Sequence, residues 1–462
     1  MSRLNPEILA ELISVLGQDH VARGASVLEL HSHDESTHPP VLPDVVVFPG
    51  STADVSAVAE LANRHGIALT AFGAGTSLEG HTVPVHGGIV IDFARMNRVL
   101  QVHATDFQVT VQPGVLRLDL EKQLSGFGLF FPPDPGANAS IGGMIANNAA
   151  GIRTVKYGAT RDHVLALEVV LADGRIINTG SRSVKQSAGY DLTHLIVGSE
   201  GTLGLVTEAT LLVYPVPEHF STAIVSFPDV PHAAEAVYGI MGHGLDPAAV
   251  ELVHQDHIAW MNEDEGADLP VAPSLMIEFT GPNEKAVGEA MTSALEICDQ
   301  AGSTGSDRGL GREARNAMWR MRHSIRERVH RRFPGHRIIS VDVAVPISRF
   351  PDLIAFSQDR AAARGLDYRV IGHAGDGNMH MNLNFAPDDA VARRNAETLN
   401  GELIDKALEM GGTSTGEHGI GIGKRAYLVA EHGAEAVAVM RGIKKTLDPN
   451  NILNPGKVLP DE

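Results

Sequence analysis

Short apolar runs divided by glycine-rich turns constrain what the first half of this chain can become. Val45-Val46-Val47-Phe48, Ile67-Ala68-Leu69-Thr70, Gly88-Ile89-Val90-Ile91 and Val109-Thr110-Val111 have the length and β-branched content of strands. Thr52 to His65 between them reads as a helix, and glycines recur from Gly73 to Gly204, where bare backbone can come close to a ligand. The pattern predicts mixed α/β structure with short elements. After Pro215-Val216-Pro217 the texture changes to longer helices and amphipathic strands. The expected organisation is therefore 1–217, 218–445 and a turn-rich tail, 446–462, that returns to the first domain.

Length and composition narrow the class. At 462 residues, 43% apolar and 20% charged, the chain is globular and long enough for two cores. Its single cysteine, Cys298, lies in an apolar helical run, which favours a buried structural thiol and excludes a cysteine-based metal site. The N-terminal helical pattern is interrupted by Glu7 and Glu11 and is not that of a signal peptide. No stretch approaches the roughly 18 uninterrupted apolar residues of a membrane span. A cytoplasmic enzyme is the expectation. The net charge of −19 argues against nucleic acid and anionic lipid as partners. The local exception runs from Arg308 to Arg332, with nine arginines against Glu313 and Glu327. A solvated basic helix face is one account of it; a receiver for an anionic substrate is the other.

Chemistry concentrates near the C-terminal end. In Gly372-His373-Ala374-Gly375-Asp376-Gly377-Asn378-Met379-His380-Met381-Asn382 the central Gly-Asp-Gly-Asn reads as a turn. The strand after it should place His380, Asn382 and Asn384 on a polar face and Met379, Met381, Leu383 and Phe385 on a core face. With Glu417-His418 farther on, this supplies two imidazoles, a carboxylate and a second base. Three such ligands can hold zinc, manganese or iron and leave a coordination position open. Hydrogen-bonded core histidines are the competing account, in a chain with 22 of them.

Three further glycine-rich segments complete an ordered series. The loop Gly73-Ala74-Gly75-Thr76-Ser77-Leu78-Glu79-Gly80 follows a strand without the Rossmann spacing, and Gly419-Ile420-Gly421-Ile422-Gly423-Lys424-Arg425 lacks the Walker residues. They are joined by Pro132-Pro133-Asp134-Pro135-Gly136, by Ser140-Ile141-Gly142-Gly143 through Asn147 to Gly151, and by Gly198-Ser199-Glu200-Gly201-Thr202-Leu203-Gly204.

With these motifs in this order, the chain resembles the flavoenzyme superfamily of vanillyl-alcohol oxidase and p-cresol methylhydroxylase, in its D-2-hydroxyacid dehydrogenase branch. That branch holds cytochrome-linked D-lactate dehydrogenase, the glycolate oxidase flavin subunit and D-2-hydroxyglutarate dehydrogenase. The resemblance runs from Pro43 to Lys457. It implies an α+β fold: a two-subdomain FAD-binding domain of p-cresol methylhydroxylase type and a cap domain of antiparallel sheet plus helices.

The resemblance implies that Gly73, Ala74, Gly75, Thr76 and Ser77 hold the FAD pyrophosphate. Pro133, Asp134, Gly142, Gly143, Asn147 and Gly151 would line the cofactor, and Glu200, Gly204, Val206 and Asn454 would complete its cleft. Thr76 stands where covalent relatives have a histidine, so non-covalent FAD is expected. It further implies His373, His380 and Glu417 as ligands of a divalent metal, zinc first and manganese or iron as alternatives. His418 would be the base, and Arg322, Asn382 and His323 the substrate contacts.

The expected reaction is oxidation of a D-2-hydroxy acid to the 2-oxo acid, the hydroxyl proton passing to His418 and the Cα hydrogen leaving as hydride to flavin N5. Ser340-Val341 appears in place of the lysine that pairs a second carboxylate in hydroxyglutarate enzymes, which favours a monocarboxylate such as D-lactate. A dicarboxylate dehydrogenase, or a glycolate oxidase subunit working inside an electron-transfer complex, is the alternative. The acceptor is left open among a cytochrome, a quinone and an electron-transferring flavoprotein, and the oligomeric state, a homodimer included, is also open. His31 and His33 are given no ligand role.

Overall fold

A computed structural model describes residues 4–461 and divides the chain into two compact units. One comprises Met1–Ala150, Gly158–Val216 and Glu417–Glu462, the other Gly151–Tyr157 and Pro217–Gly416.

The first unit is built on two sheets, each with its own core. Strands β1 (Val21–Ala22), β2 (Val45–Val47), β3 (Leu69–Phe72) and β4 (Ile89–Asp92) lie in the order β1-β2-β4-β3, with β4 parallel to β2 and β3. Their apolar side chains pack on helix Thr52–His65 through Val55, Val58, Leu61 and Ala62. Ser51 starts that helix by accepting the Asp54 N–H, and Gly66, at φ 63°, ends it. The strand expected at 67–70 begins two residues later. The Ile67 N–H is spent on the Ala62 carbonyl of the helix end, so pairing starts at Leu69.

The second sheet holds β5 (Val99–His103), β6 (Gln108–Val111), β8 (Val164–Val170), β9 (Ile176–Gly180) and β10 (Leu205–Leu212), antiparallel in the order β5-β6-β10-β8-β9. A two-stranded ribbon pairs β7 (Leu129–Phe130) with β11 (Tyr214–Pro215). The C-terminal segment runs beside β3, where the Leu69 N–H donates to Ile452 O and the Asn454 N–H to Leu69 O, both at 2.7 Å.

The second unit is one seven-stranded antiparallel sheet with helices. Its strands are β12 (His219–Ser226), β13 (Ala249–Val253), β14 (Ser274–Gly281), β15 (Gly305–Leu310), β16 (Arg337–Ala344), β17 (Asp367–His373) and β18 (Asn378–Phe385). The order is β15-β12-β14-β13-β17-β18-β16. Helices Val230–Gly242, Glu284–Gln300, Phe350–Ala363 and Ala390–Glu409 pack one against another and reach the sheet at β12, β14 and β16. On one face Ile224, Ala249, Val253, Met276 and Ile371 form a core with Ile258, Met261, Met318 and Trp319. Cys298 is buried in helix Glu284–Gln300, and burial, then Asp299, pushes its thiol up to about 12, far from a nucleophile's range. No described helix is long and apolar enough to cross a membrane.

Candidate active site

The turn expected after His373 is a 3-10 turn, Ala374–Asp376, closed by Gly377 at φ 70°. It joins β17 to β18 and puts the His373 and His380 rings 5.2 Å apart at 88°. The alternation along β18 holds in direction but not in exposure. Met379, Met381 and Leu383 are fully buried, and His380 and Asn384 on the other face are buried too, so that side of the strand is also covered.

Register explains what each histidine meets. Glu251 on β13 lies directly across from His373, and Asp342 on β16 directly across from His380. His373 Nδ1 is 2.6 Å from Glu251 Oε1, while His380 Nδ1 is 3.6 Å from Asp342 Oδ1, beyond hydrogen-bond length. A proton on His373 Nδ1 donated to this carboxylate fixes the tautomer that offers Nε2 to a metal. Asp342 also accepts from the Asn378 amide at 2.8 Å and from Thr415 at 2.7 Å.

Arg322 lies in the last turn of helix Gly311–His323 with its side chain turned inward. Its Nε and Nη2 donate to Glu251 Oε2 at 2.9 and 2.6 Å. One fully buried carboxylate thus holds both the imidazole and the guanidinium. Beside it His257 is buried and kept well below its ordinary pKa by burial and then by His254, Arg322, Arg369 and Arg328, so the ring is neutral. His323, the next residue, is exposed.

Four more arginines of the basic segment are committed within the fold. Arg315 pairs with Glu278, which also takes the Trp319 N–H, and Arg328, Arg331 and Arg332 converge on Glu263, Asp264 and Glu265 at the end of helix Gln255–Glu265. The segment divides: Arg315, Arg322 and Arg328 are held by acids of the fold, while Arg308, Arg312 and Arg320 are exposed, as on a solvated face.

Asn382 faces Ser340 on one side and Arg369 on the other. Arg369 is itself paired with Asp256 at 3.0 Å and Asp367 at 2.8 Å. β16 leads on to Pro346, and the strand-like return at Thr413 bonds to Ala344 O. At Gly416 a Cβ would overlap the Asn378 amide, so only glycine lets the chain pass there before Glu417.

In the first unit, Glu417 and His418 carry largely buried side chains, with Glu417 Oε1 3.8 Å from His418 Nε2. The Asn147 amide donates to the His418 carbonyl at 3.4 Å. The loop from Gly73 to Ser77 follows β3. Gly73 packs on Ser140, whose hydroxyl caps helix Ile141–Asn147 by accepting the Gly143 N–H, and a Cβ at Gly73 would overlap that hydroxyl. Gly75 has φ 68°. This bare, partly exposed backbone at the carboxyl end of a parallel strand suits a dinucleotide.

Gly142 and Gly204 are required by packing, since a Cβ at the first would sit 2.6 Å from Pro113 and at the second would overlap Val169. Asp134 is buried against Arg117 at 3.2 Å, next to Pro133, and Val206 lies half-buried on β10. Gly151, with φ 136°, belongs to the second unit. His31 spends its two ring nitrogens on Val27 O and Asp92.

Glu251 and His81 escaped the sequence reading. For Glu251 the signal was an acid inside the apolar strand Ala249-Val250-Glu251-Leu252-Val253. His81 had none beyond its place in a glycine loop.

These features define a flavin-binding oxidoreductase. Residues 43–180 match the family described as FAD binding domain, and residues 216–458 match FAD linked oxidases, C-terminal domain. The chain belongs to the FAD-linked oxidase family, and it is an FAD-dependent oxidoreductase of the type whose known members are named D-lactate dehydrogenase. It is 42% identical to D-lactate dehydrogenase [cytochrome], mitochondrial, of Arabidopsis thaliana, over 98% of this chain and 80% of that protein. With glycolate oxidase subunit GlcD of Bacillus subtilis it shares 35% identity, over 98% and 97%. Substrate-bound p-cresol methylhydroxylase superposes with a TM-score of 0.79 at 18% identity, covering 98% of this chain and 96% of that one, and shares the fold.

Proposed function

We propose that this enzyme oxidises a D-2-hydroxy acid, with a D-lactate-like monocarboxylate as the preferred substrate, to the 2-oxo acid. The observation that carries the reading is Glu251, which fixes a carboxylate-binding arginine and a metal-type imidazole with one side chain. The names of the relatives support the substrate class.

The chain's residues take these roles. Arg322, whose Nε and one Nη2 hydrogen are taken by Glu251, binds the substrate carboxylate through its remaining Nη1 and Nη2 hydrogens, and Asn382 and His323 are further substrate contacts. His418 takes the hydroxyl proton as the C–O bond becomes a carbonyl. His373, with Nδ1 engaged by Glu251, His380 and Glu417 supply the N, N and O donors that suit a divalent cation, zinc before manganese or iron. Such a cation, when bound, acidifies the substrate hydroxyl. FAD, which the 73–77 loop would hold without a covalent bond, would supply the two-electron acceptor for the Cα hydrogen. One hydride and one proton leave the alcohol, and the 2-oxo acid remains. The electrons then pass to a separate acceptor; the cytochrome in the name of the plant relative makes that the first candidate.

A dicarboxylate substrate would need a second cation on this face. The cation in the row of Asn382 and Ser340 is Arg369, which Asp256 and Asp367 already neutralise, and this favours the monocarboxylate.

Anaerobic bleaching of the flavin near 450 nm tests the reading with D-lactate, L-lactate, glycolate and D-2-hydroxyglutarate in turn. Bleaching by D-lactate and not by L-lactate is the expected result; bleaching by D-2-hydroxyglutarate alone would overturn the monocarboxylate assignment. Dialysis against a chelator should abolish bleaching and zinc or manganese should restore it, whereas an enzyme indifferent to chelation has no metal in its mechanism.

A further inference from the structure

We infer that Glu200 is a positioning residue. Its carboxylate, aimed by His81, clamps the segment that carries Glu417 and His418. This rests on the roles proposed above for those two residues.

Glu200 is buried and adopts φ 53°, a left-handed conformation that a non-glycine residue holds only where its surroundings enforce it. Its two oxygens are both spent on the chain. Oε1 accepts the Ile420 N–H at 2.7 Å and Oε2 the Gly421 N–H at 2.8 Å, and Oε2 also lies 3.1 Å from His81 Nε2 in a buried ion pair. The fit leaves no room for a side chain at Gly419. At its φ of 83° a Cβ would stand 2.7 Å from His81 Nε2 and 2.9 Å from Glu200 Oε1.

The clamp is itself fixed from behind. The Asn454 amide donates to the carbonyls of both His81, at 3.1 Å, and Glu200, at 2.8 Å. Lys457 Nζ then holds Asn454 Oδ1 at 3.0 Å and Val83 O at 2.6 Å. A Cβ at Gly421 would overlap the Glu79 carbonyl, which accepts the Ile422 N–H at 2.7 Å.

The physical need is clear from the sequence of the segment. Gly419, Gly421 and Gly423 give it little conformational preference of its own, so the position of His418 must be imposed from outside. A base works only when held close to the geometry of its proton transfer. A carboxylate taking two consecutive N–H groups is the strong, charge-assisted form of such an anchor. Counting Glu200 and Asn454 only as cofactor contacts leaves these bonds unexplained.

The test uses Glu200→Gln and His81→Gln in the FAD-loaded enzyme. Glu200→Gln keeps the shape but turns an NH₂ toward one backbone donor. Hydrogen exchange at the Ile420 and Gly421 amides should accelerate about tenfold or more, and kcat with D-lactate should fall by a similar factor while KM and the FAD dissociation constant change less than about twofold. His81→Gln keeps a donor toward Glu200 and should fall between Glu200→Gln and the parent in both measurements. It decides the matter if the first variant does not fold. Parental exchange rates at these two amides, or a loss of activity that follows a loss of FAD, would overturn the assignment. If no 2-hydroxy acid reduces the parent enzyme, the proposed function fails, while the exchange rates still show whether Glu200 anchors the segment.

Discussion

Glu251 shows how much of this site depends on a residue that need not touch the substrate. A fully buried carboxylate is costly to dehydrate, and it persists here because Arg322 and His373 both bond it. Replacing it with glutamine leaves one acceptor oxygen for two donors, one of them a buried cation. On the metal-ligand role proposed for His373, Glu251→Gln should weaken metal retention by about 10- to 100-fold, as is typical when an orienting partner of a ligand is lost. It should also cost about 3 kcal/mol of stability through the unpaired guanidinium. Zinc content after dialysis and the urea midpoint measure the two effects. Parental values in both would show that Glu251 orients nothing. Glu278 and Asp342 repeat the pattern of a buried acid in an apolar strand, at Leu275-Met276-Ile277-Glu278-Phe279 and Val341-Asp342-Val343. A single acid in such a run is therefore a sequence signal, although its partner lies too far along the chain to be named from sequence.

At the scale of elements, the hairpin of β17 and β18 is the structure most legible in the sequence, because turn chemistry and alternation agree there. Gly377 is the residue on which it depends: its φ is 70° and a Cβ would overlap the Val345 carbonyl. Gly377→Ala should destabilise the fold by more than about 1 kcal/mol, read as a lower thermal midpoint; an unchanged midpoint would mean that the turn relaxes freely. Helix Thr52–His65 was legible for the same reason, its Ser51 cap and Gly66 stop both being local. Exposure was not legible along β18, since alternation reports which side a residue faces and not whether a further layer covers that side. The ion pairs of Arg328, Arg331 and Arg332 were not legible for a related reason. Their partners Glu263, Asp264 and Glu265 lie some distance back in the chain, and only the packing of two helices brings them together. The loop from Gly73 to Ser77 announced itself by its glycines, but the clamp of His81, Glu200 and Asn454 joins three distant segments and leaves no local pattern.

Over the whole molecule the net charge is −19, yet a buried charged cluster of the first unit includes cations, and these give stability an unusual pH dependence. Burial would lower the pKa of His81, but Glu200, then Asp34 and Glu79, outweigh it and hold the imidazole above its ordinary 6.5. Its contribution is complete below about 6.5 and fades as pH rises through the raised value. Burial would raise Glu200, but His81 and the N–H groups of Ile420 and Gly421 hold it below its ordinary 4.5, so its contribution is complete above about 4.5 and is lost as pH falls through the lowered value. The pair is at full strength between these limits. Lys457 behaves oppositely. Burial brings its ammonium down to about 8, against the pull of Asp34 and Glu200 and with a smaller push from Arg425. Below about 8 the folded chain carries a buried charge at a cost. Between about 8 and 10.5 the unfolded chain binds the extra proton, so stability rises with pH, by roughly 3 kcal/mol across the full interval. Methionine at this position has no such proton to release. The parent should therefore gain stability relative to Lys457→Met between pH 7.5 and 9.5, in urea midpoints taken at both values, whatever their difference at the lower pH. If the parent instead loses ground over that interval, Lys457 remains charged in the folded state, and its bonds to Val83 and Asn454 are those of an ammonium that the fold stabilises.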